Sequence, residues 1–227
     1  MELKDIKIKK IDIDIEGAAS DAREMKQPFP VRAPAAVIYG MRRYIENKIL
    51  CDLGCGGGDL LWLAGRWAKQ TIGIELQQEL VNIARAQREN ANMTPDIRSG
   101  NFFDWPVPHA DVYYCWVGKA SEDEGFMRYV ERIARNHAPA TLIMGCSWSY
   151  ILEELGFKGR GGTDSRIPSN LALMNKFAGG KGEVILVPYK EIIPKSYGNI
   201  DFTKSQSWSA GLSEDYWALS IIELNKG

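Results

Sequence analysis

Histidine is scarce in this chain of 227 residues: His109 and His137 are the only two. The four cysteines, Cys51, Cys55, Cys115 and Cys146, form no C-x-x-C pair and no disulfide-framework spacing. Scattered thiols with so few imidazoles do not supply the clustered ligands of a zinc site, so no metal is expected. The thiols read as reduced and buried, as in an intracellular protein. Net charge is nearly absent as well, at -1 from 28 basic and 29 acidic residues. No overall basic field exists to hold a long nucleic acid by counterion release, which weighs against nucleic acid as a partner, although a local basic groove stays open. No apolar run approaches a membrane span, and the start Met1-Glu2-Leu3-Lys4-Asp5 has no signal-peptide pattern. A cytoplasmic protein without a membrane partner is the expectation. With 45% hydrophobic residues, the length suits one domain with a sizeable core and some additions.

Two nucleotide signatures are missing. Gly179-Gly180-Lys181-Gly182 lacks the upstream glycine and the following Ser/Thr of a phosphate loop. The run Ile49-Leu50-Cys51-Asp52-Leu53-Gly54-Cys55-Gly56-Gly57-Gly58-Asp59 reads as strand, tight turn and helix start, but a G-x-G-x-x-G pattern begun at Gly54 finds Asp59 at its third glycine. A nucleotide-linked oxidoreductase is thereby disfavoured. What stands there is D-x-G-x-G-x-G, Asp52 to Gly58, whose glycines supply positive φ and let backbone N–H groups approach a ligand. A second mark is Glu75, an acid closing the strand-like run Thr71-Ile72-Gly73-Ile74 and able to accept two hydrogen bonds from a ribose diol. A third is Gly100-Asn101-Phe102-Phe103-Asp104.

These three marks together resemble class I S-adenosylmethionine (SAM) dependent methyltransferases. The resemblance implies SAM as cofactor, its methionine end wrapped by the turn, and Asp52 acting on its amino group directly or through water. It assigns the ribose to Glu75 and the adenine amino group to position 101. There the family often has Gly-Asp, and the Asn101 amide oxygen can accept the same hydrogen bond. Carried over residue by residue, the cofactor set is Asp52, Gly54, Cys55, Gly56, Gly58, Glu75, Leu76, Asn101 and Phe102.

Around this centre the pattern alternates. Strands are expected at 49–53, 71–75, 96–99, 111–117, 141–147, 183–189 and 215–224. Helices are expected near 59–69, 77–92 (Leu76, Leu80, Ile83 and Ala84 on one face), 122–136 and 168–178. That succession argues for a doubly wound, mostly parallel Rossmann-like α/β sheet with right-handed crossovers and ligands at the carboxyl ends of its strands. The resemblance makes it seven-stranded with the last strand antiparallel. Residues 3–16 alternate isoleucine with charge and predict a strand or small hairpin over 1–25, read as an accessory strand in preference to a cover over the pocket or a dimer contact, before a SAM-binding domain at 26–227. The proline-rich segment 26–34, the helix face Val37, Met41, Tyr44, Ile45 and the glycine motif resemble the front end of archaeal and mitochondrial protein-lysine methyltransferases, over roughly residues 28–117. That likeness implies a loop around Pro30 to Ala33 closing over SAM, with Arg32 facing its carboxylate; a solvated Arg32 is the alternative.

In the family the fourth strand delivers the residues beside the methyl group. The Asn/Asp-Pro-Pro-Tyr/Phe tetrapeptide of base-amino methyltransferases is absent there, and Trp116 takes its first place. Trp116 reads either as a flank for SAM or a cradle for a cationic amine, or as plain packing at a strand end. Glu122, with Asp123 and Glu124, reads either as a proton acceptor for an amine or as the acidic first turn of a helix. The two histidines fall in expected loops and are set aside as catalysts. The segments 149–166 and 190–214 are the expected substrate loops, with Lys158, Arg160 and Arg166 as a basic lid and Trp148, Tyr150, Tyr197 and Trp208 as aromatic lining, or as ordinary surface and packing. A protein amine, lysine above all, leads as acceptor on the front-end resemblance; a small molecule follows and RNA trails. A non-catalytic SAM-binding regulatory or scaffold subunit is the rival of another class.

Overall fold

The computed structural model describes residues 7–24, 35–88, 94–116, 124–146, 173–177, 182–188, 196–197, 200–201 and 216–225. In chain order these form β1 (Lys7–Lys10), α1 (Ile15–Glu24), α2 (Ala35–Ile45), β2 (Ile49–Leu53), α3 (Asp59–Ala64), β3 (Gln70–Glu75), α4 (Gln78–Arg88), β4 (Asp96–Ser99), β5 (Val112–Trp116), α5 (Glu124–His137), β6 (Ala140–Cys146), β7 (Glu183–Pro188), β8 (Ser196–Tyr197), β9 (Ile200–Asp201) and β10 (Tyr216–Leu224). One sheet runs β1-β7-β10-β6-β5-β2-β3-β4, and β8 and β9 make a separate antiparallel ribbon inside the segment 190–214.

Strands β2 to β6 pair in parallel, and β10 runs antiparallel between β6 and β7. The expected doubly wound sheet with an antiparallel last strand is therefore present, but it has eight strands rather than seven. The added strand is β1, which lies parallel to β7 in the register Lys7↔Glu183 to Lys10↔Leu186.

The isoleucine alternation does not continue as a strand or hairpin beyond β1. Asp14 Oδ1 accepts from the Gly17 amide at 2.9 Å, capping α1 so that the chain turns helical at Ile15. Ile11, Ile13 and Ile15 still face inward, packed against the core beside α2. Asp21 on α1 then accepts from Tyr39 of α2 at 2.7 Å and from Arg66 after α3 at 2.9 Å, fixing α1 on the domain.

Alternate residues of the strands feed two cores. Leu50, Val112, Tyr114, Ile143 and Ile185 pack with α1 to α4 on one face, whereas Cys51, Leu53, Tyr113, Cys115 and Leu142 pack with α5 and a helical turn at 173–177 on the other. Helix α5 buries Phe126, Tyr129, Val130, Ile133 and Ala134, the face its 3.6-residue period marks.

Two helices differ from expectation. Helix α3 stops at Ala64 instead of 69, because the amides of Gly65, Arg66 and Trp67 bond back to Leu61, Leu63 and Ala64 in tightening turns. Helix α4 begins at Gln78, which leaves Leu76 in the preceding turn, 68% exposed, and not on the helix face. The buried face is Val81 and Ala84, with Ile83 turned outward at 39% exposure.

Candidate functional site

The centre is built where four neighbouring strands end. Leu53 of β2 stands beside Ile74 of β3 and Cys115 of β5, and Glu75 stands beside Ser99 of β4. The marks at Asp52–Gly58, Glu75 and Gly100–Phe102, and the backbone of Trp116, thus share one carboxyl edge, the ligand edge of a parallel sheet.

After Leu53 the chain turns through Gly54, Gly56 and Gly58 at φ of 88°, 54° and 85°. A side chain in these conformations is strained, which is why the turn needs glycine. The amides of Gly54 and Cys55 both donate to the Ile74 carbonyl, at 2.9 and 3.1 Å. The Gly56 amide donates to Glu75 Oε2 at 2.9 Å, while Glu75 Oε1 accepts from the Gln77 amide at 2.8 Å. Glu75 is therefore a brace for the turn as well as an acid at the strand end. Each of its oxygens keeps accepting capacity, since a carboxylate has about four lone-pair sites. Cys55 folds inward against Gly73, where an added Cβ would lie 2.7 Å from its sulfur and 2.4 Å from Leu61. Burial pushes the thiols of Cys51, Cys55 and Cys115 upward, so they stay protonated and serve as packing.

Asp52 behaves differently. It is 3% exposed, and among the described residues no group donates a hydrogen bond to its carboxylate. Burial first, and the charge of Glu75 second, push its pKa up to about 8. A buried acid with no donor among the described residues is suited to meet a cation or an N–H donor laid along the turn. Beside the turn, a Cβ placed on Gly54 would meet nothing within 4 Å, so there is open space next to it. An amino-bearing cofactor lying along the turn fits both observations.

The third mark is joined to the second by the Gly100 amide, which donates to the Glu75 carbonyl at 2.8 Å. Asn101 Oδ1 accepts from the Phe103 amide at 3.0 Å, so the amide oxygen expected to face a ligand already shapes its own turn. Phe102 is half-buried, its ring 5.3 Å from that of Tyr129 on α5. Arg132 donates to the Phe103 carbonyl at 2.8 Å and holds the same turn from α5. Gln87 of α4 donates to the Gly57 carbonyl at 3.0 Å and to Asp59 Oδ1 at 3.3 Å. Arg132 and Gln87 escape a sequence reading because they meet the site across about thirty residues of chain, with no local pattern to mark them.

Trp116 closes β5 opposite Gly145, which puts its backbone on the site edge. Its side chain lies outside the described residues, as do Glu122, Arg32, the segment 149–166 with its basic residues, and Trp148, Tyr150 and Trp208. His137 is not in a loop but ends α5, at the opposite end of the sheet, where its Nδ1 lies 3.4 Å from that of His109. Among the described residues no group of three or more metal-ligating side chains occurs, and no helix is long and apolar enough to cross a membrane.

The profile of a family described as Methyltransferase domain matches residues 50–140, which span the glycine turn, Glu75, the 100–105 turn and α5. No curated protein matches the chain. Similar solved structures include a candidate RNA methyltransferase from Pyrococcus horikoshii (12% identity, TM-score 0.55, covering 95% of this chain and 99% of that one). A tRNA (m1A58) methyltransferase from Aquifex aeolicus aligns at 14% identity and TM-score 0.57, over 86% and 71% of the two chains. The O-methyltransferase TomG from Streptomyces achromogenes, involved in tomaymycin synthesis, aligns at 13% and 0.54, over 95% and 91%. At such identities the likeness is one of fold, and this fold serves a tRNA enzyme as well as a biosynthetic O-methyltransferase. A balanced charge therefore does not by itself set nucleic acid aside. The family match and the geometry of the turn agree: residues 50–140 match a methyltransferase domain, set on the Rossmann-like fold that the similar structures share, and this supports a methyltransferase that uses S-adenosylmethionine.

Proposed function

We propose that the chain transfers a methyl group to an amine, with a protein lysine as the leading acceptor. The observation that carries the cofactor half of this reading is Asp52, an acid buried beside the glycine turn with no donor among the described residues. The cofactor supplies a methyl group made electrophilic by its sulfonium. The residues of this chain then have four tasks. Asp52 accepts from the amino group of the methionine end, and the glycine amides line that end. Glu75 gives its remaining lone pairs to the ribose hydroxyls while still bracing Gly56. Leu76 and Phe102 offer apolar surface to the adenine, and Asn101 presents a polar edge to it. The exposed position of Leu76, an apolar side chain beside the ribose acid, supports that part.

Methyl transfer is an in-line displacement that needs orientation and exclusion of water more than a set of catalytic groups. Trp116, at the end of β5, is the residue to flank the reacting centre and to cradle an incoming amine by cation–π attraction. Glu122 is the residue to draw the amine in and accept its proton, since only the neutral amine has a lone pair to attack with. The lysine acceptor rests on the proline-rich front end and on Trp116; a small-molecule amine or hydroxyl is the second reading.

Calorimetric titration with S-adenosylhomocysteine and with NADH, on the intact chain and on Glu75→Ala, tests the cofactor half. The expected result is S-adenosylhomocysteine binding that the substitution weakens, with no NADH response. Labelled-methyl transfer into protein, small-molecule and tRNA pools tests the acceptor. Label that enters protein and disappears when lysines are blocked beforehand supports the lysine reading. Label that persists on blocked protein, or that enters only tRNA or small molecules, overturns it. Binding without turnover in every pool supports the regulatory or scaffold rival.

A further inference from the structure

We propose that Gln87 is a positioning residue of the cofactor site: its side-chain amide fastens the exit of the glycine turn to α4, so that the turn is set before the cofactor arrives. The proposal rests on the reading of that turn as the cofactor cradle. Gly54, Gly56, Gly57 and Gly58 lose more backbone freedom on ordering than any other residues would. A turn left loose would transfer that cost to binding, and a turn already tethered would not.

The first half of the turn is tethered from β3. Gly54 and Cys55 donate to the Ile74 carbonyl, and Gly56 donates to Glu75. The second half, where the chain passes into α3, has less support of its own. Helix α3 has six residues, and its N-cap, Gly58, makes no side-chain cap. A helix this short does not hold itself together in isolation. Gln87 meets this junction: Nε2 donates to the Gly57 carbonyl at 3.0 Å and to Asp59 Oδ1 at 3.3 Å, joining the last peptides of the turn to the first residue of the helix. The approach is built into α4. Ala84, three residues earlier and on the same face, is what a Cβ on Gly58 would strike at 2.9 Å. Ala84 gives α4 clearance against the turn, and Gln87 supplies the bond. Chemistry selects the residue as well as its place. Both acceptors need N–H donors, which glutamine has; glutamate has the same length with acceptors only, and asparagine is one methylene too short.

The test is S-adenosylhomocysteine affinity of the intact chain, Gln87→Ala and Gln87→Glu between pH 5 and 8, with thermal midpoints of the cofactor-free proteins measured alongside. Gln87→Ala, helix-compatible and unable to bond, is expected to bind about five- to tenfold more weakly with a midpoint close to that of the parent. Gln87→Glu is expected to bind more weakly still at pH 8, and to regain affinity relative to the parent toward pH 5, where the protonated acid again offers a donor to Gly57. That rescue is not the behaviour of a residue that only supports folding. Parent-like affinity in both variants overturns the positioning role while leaving the cofactor reading intact, and so does weak binding that acid does not rescue. Absence of binding by the intact chain overturns the cofactor reading and this proposal with it.

Discussion

The two ends of the sheet treat their polar groups in opposite ways. At the amino ends of the strands, Asp111 Oδ2 accepts from the Ile49 amide at 2.8 Å, and the Tyr113 hydroxyl donates to Pro108 and accepts from the Ala110 amide at 3.2 Å. His137 Nε2 meets the Val107 carbonyl at 3.1 Å. Each of these polar side chains has a partner from the protein itself. At the carboxyl ends, Asp52 is buried with no donor among the described residues, glycines occupy positive-φ conformations that other residues rarely adopt, and Leu76 stands out to 68% exposure. The amino edge is thus closed largely by the protein's own bonds, Thr71 Oγ1 being a buried exception, whereas the carboxyl edge keeps open space beside Gly54 for a ligand. Substitutions at the two ends should therefore move different observables.

The largest effect is expected from Glu75→Ala. It removes the brace on Gly56 together with the ribose acceptor, and S-adenosylhomocysteine affinity should fall about hundredfold or more by calorimetry, two charge-assisted hydrogen bonds being at stake. Tyr113→Phe is the counterpart at the other end. Loss of its bonds to Pro108 and Ala110 should cost about 1–3 kcal/mol in denaturant unfolding and leave affinity unchanged. An affinity change there would erase the contrast between the ends.

Asp52 sharpens the contrast through pH. Its folded pKa, up to about 8, lies above the ordinary carboxylate value, so the folded cofactor-free chain holds a proton that the unfolded chain has released. Stability from this group is thus fully present below about pH 4 and declines as pH rises toward 8. Asp52→Asn should flatten that decline in thermal midpoints measured from pH 5 to 8. The same substitution should remove the rise in S-adenosylhomocysteine affinity expected as pH climbs toward 8 and the acid ionises to meet an ammonium group.

The smallest effect belongs to His137. Burial and then the neighbouring His109 lower its pKa, partly offset by the Val107 carbonyl, so the unfolded chain takes up the proton first as pH falls. Stability from this group is present above the unfolded value of about 6.5 and is lost below it. His109→Gln should shrink that acid-side loss by a few tenths of a kcal/mol, with affinity unaltered.

The glycine turn and Glu75 were legible because their chemistry is local: positive φ needs glycine, and a strand ending in an acid is a contiguous pattern. The strand-helix alternation was legible for the same reason. The Ile11 to Ile15 stretch misled because alternation is only one reason for isoleucines to face inward. The cap at Asp14, with helix-compatible residues behind it, was the signal for α1 that alternation concealed. Helix α4 misled because its buried residues are small, Val81 and Ala84, the latter lying against Gly58 of the turn, while Ile83 faces outward. Gln87 and Arg132 had no signal at all, since a bond across about thirty residues leaves no periodicity.

The outer strand β1 also sets a condition on how the molecule is assembled. Its partner β7 lies more than 170 residues further along the chain, so β1 has nothing to pair with while the ribosome is delivering the glycine turn and the strands around it. The central strands β2 to β6, each near its neighbours in sequence, are complete well before that. On this topology the cofactor edge takes shape during synthesis and the far margin of the sheet closes last. A chain truncated ahead of Glu183 would carry the turn and its acids but leave the strand at its front without a place in the sheet.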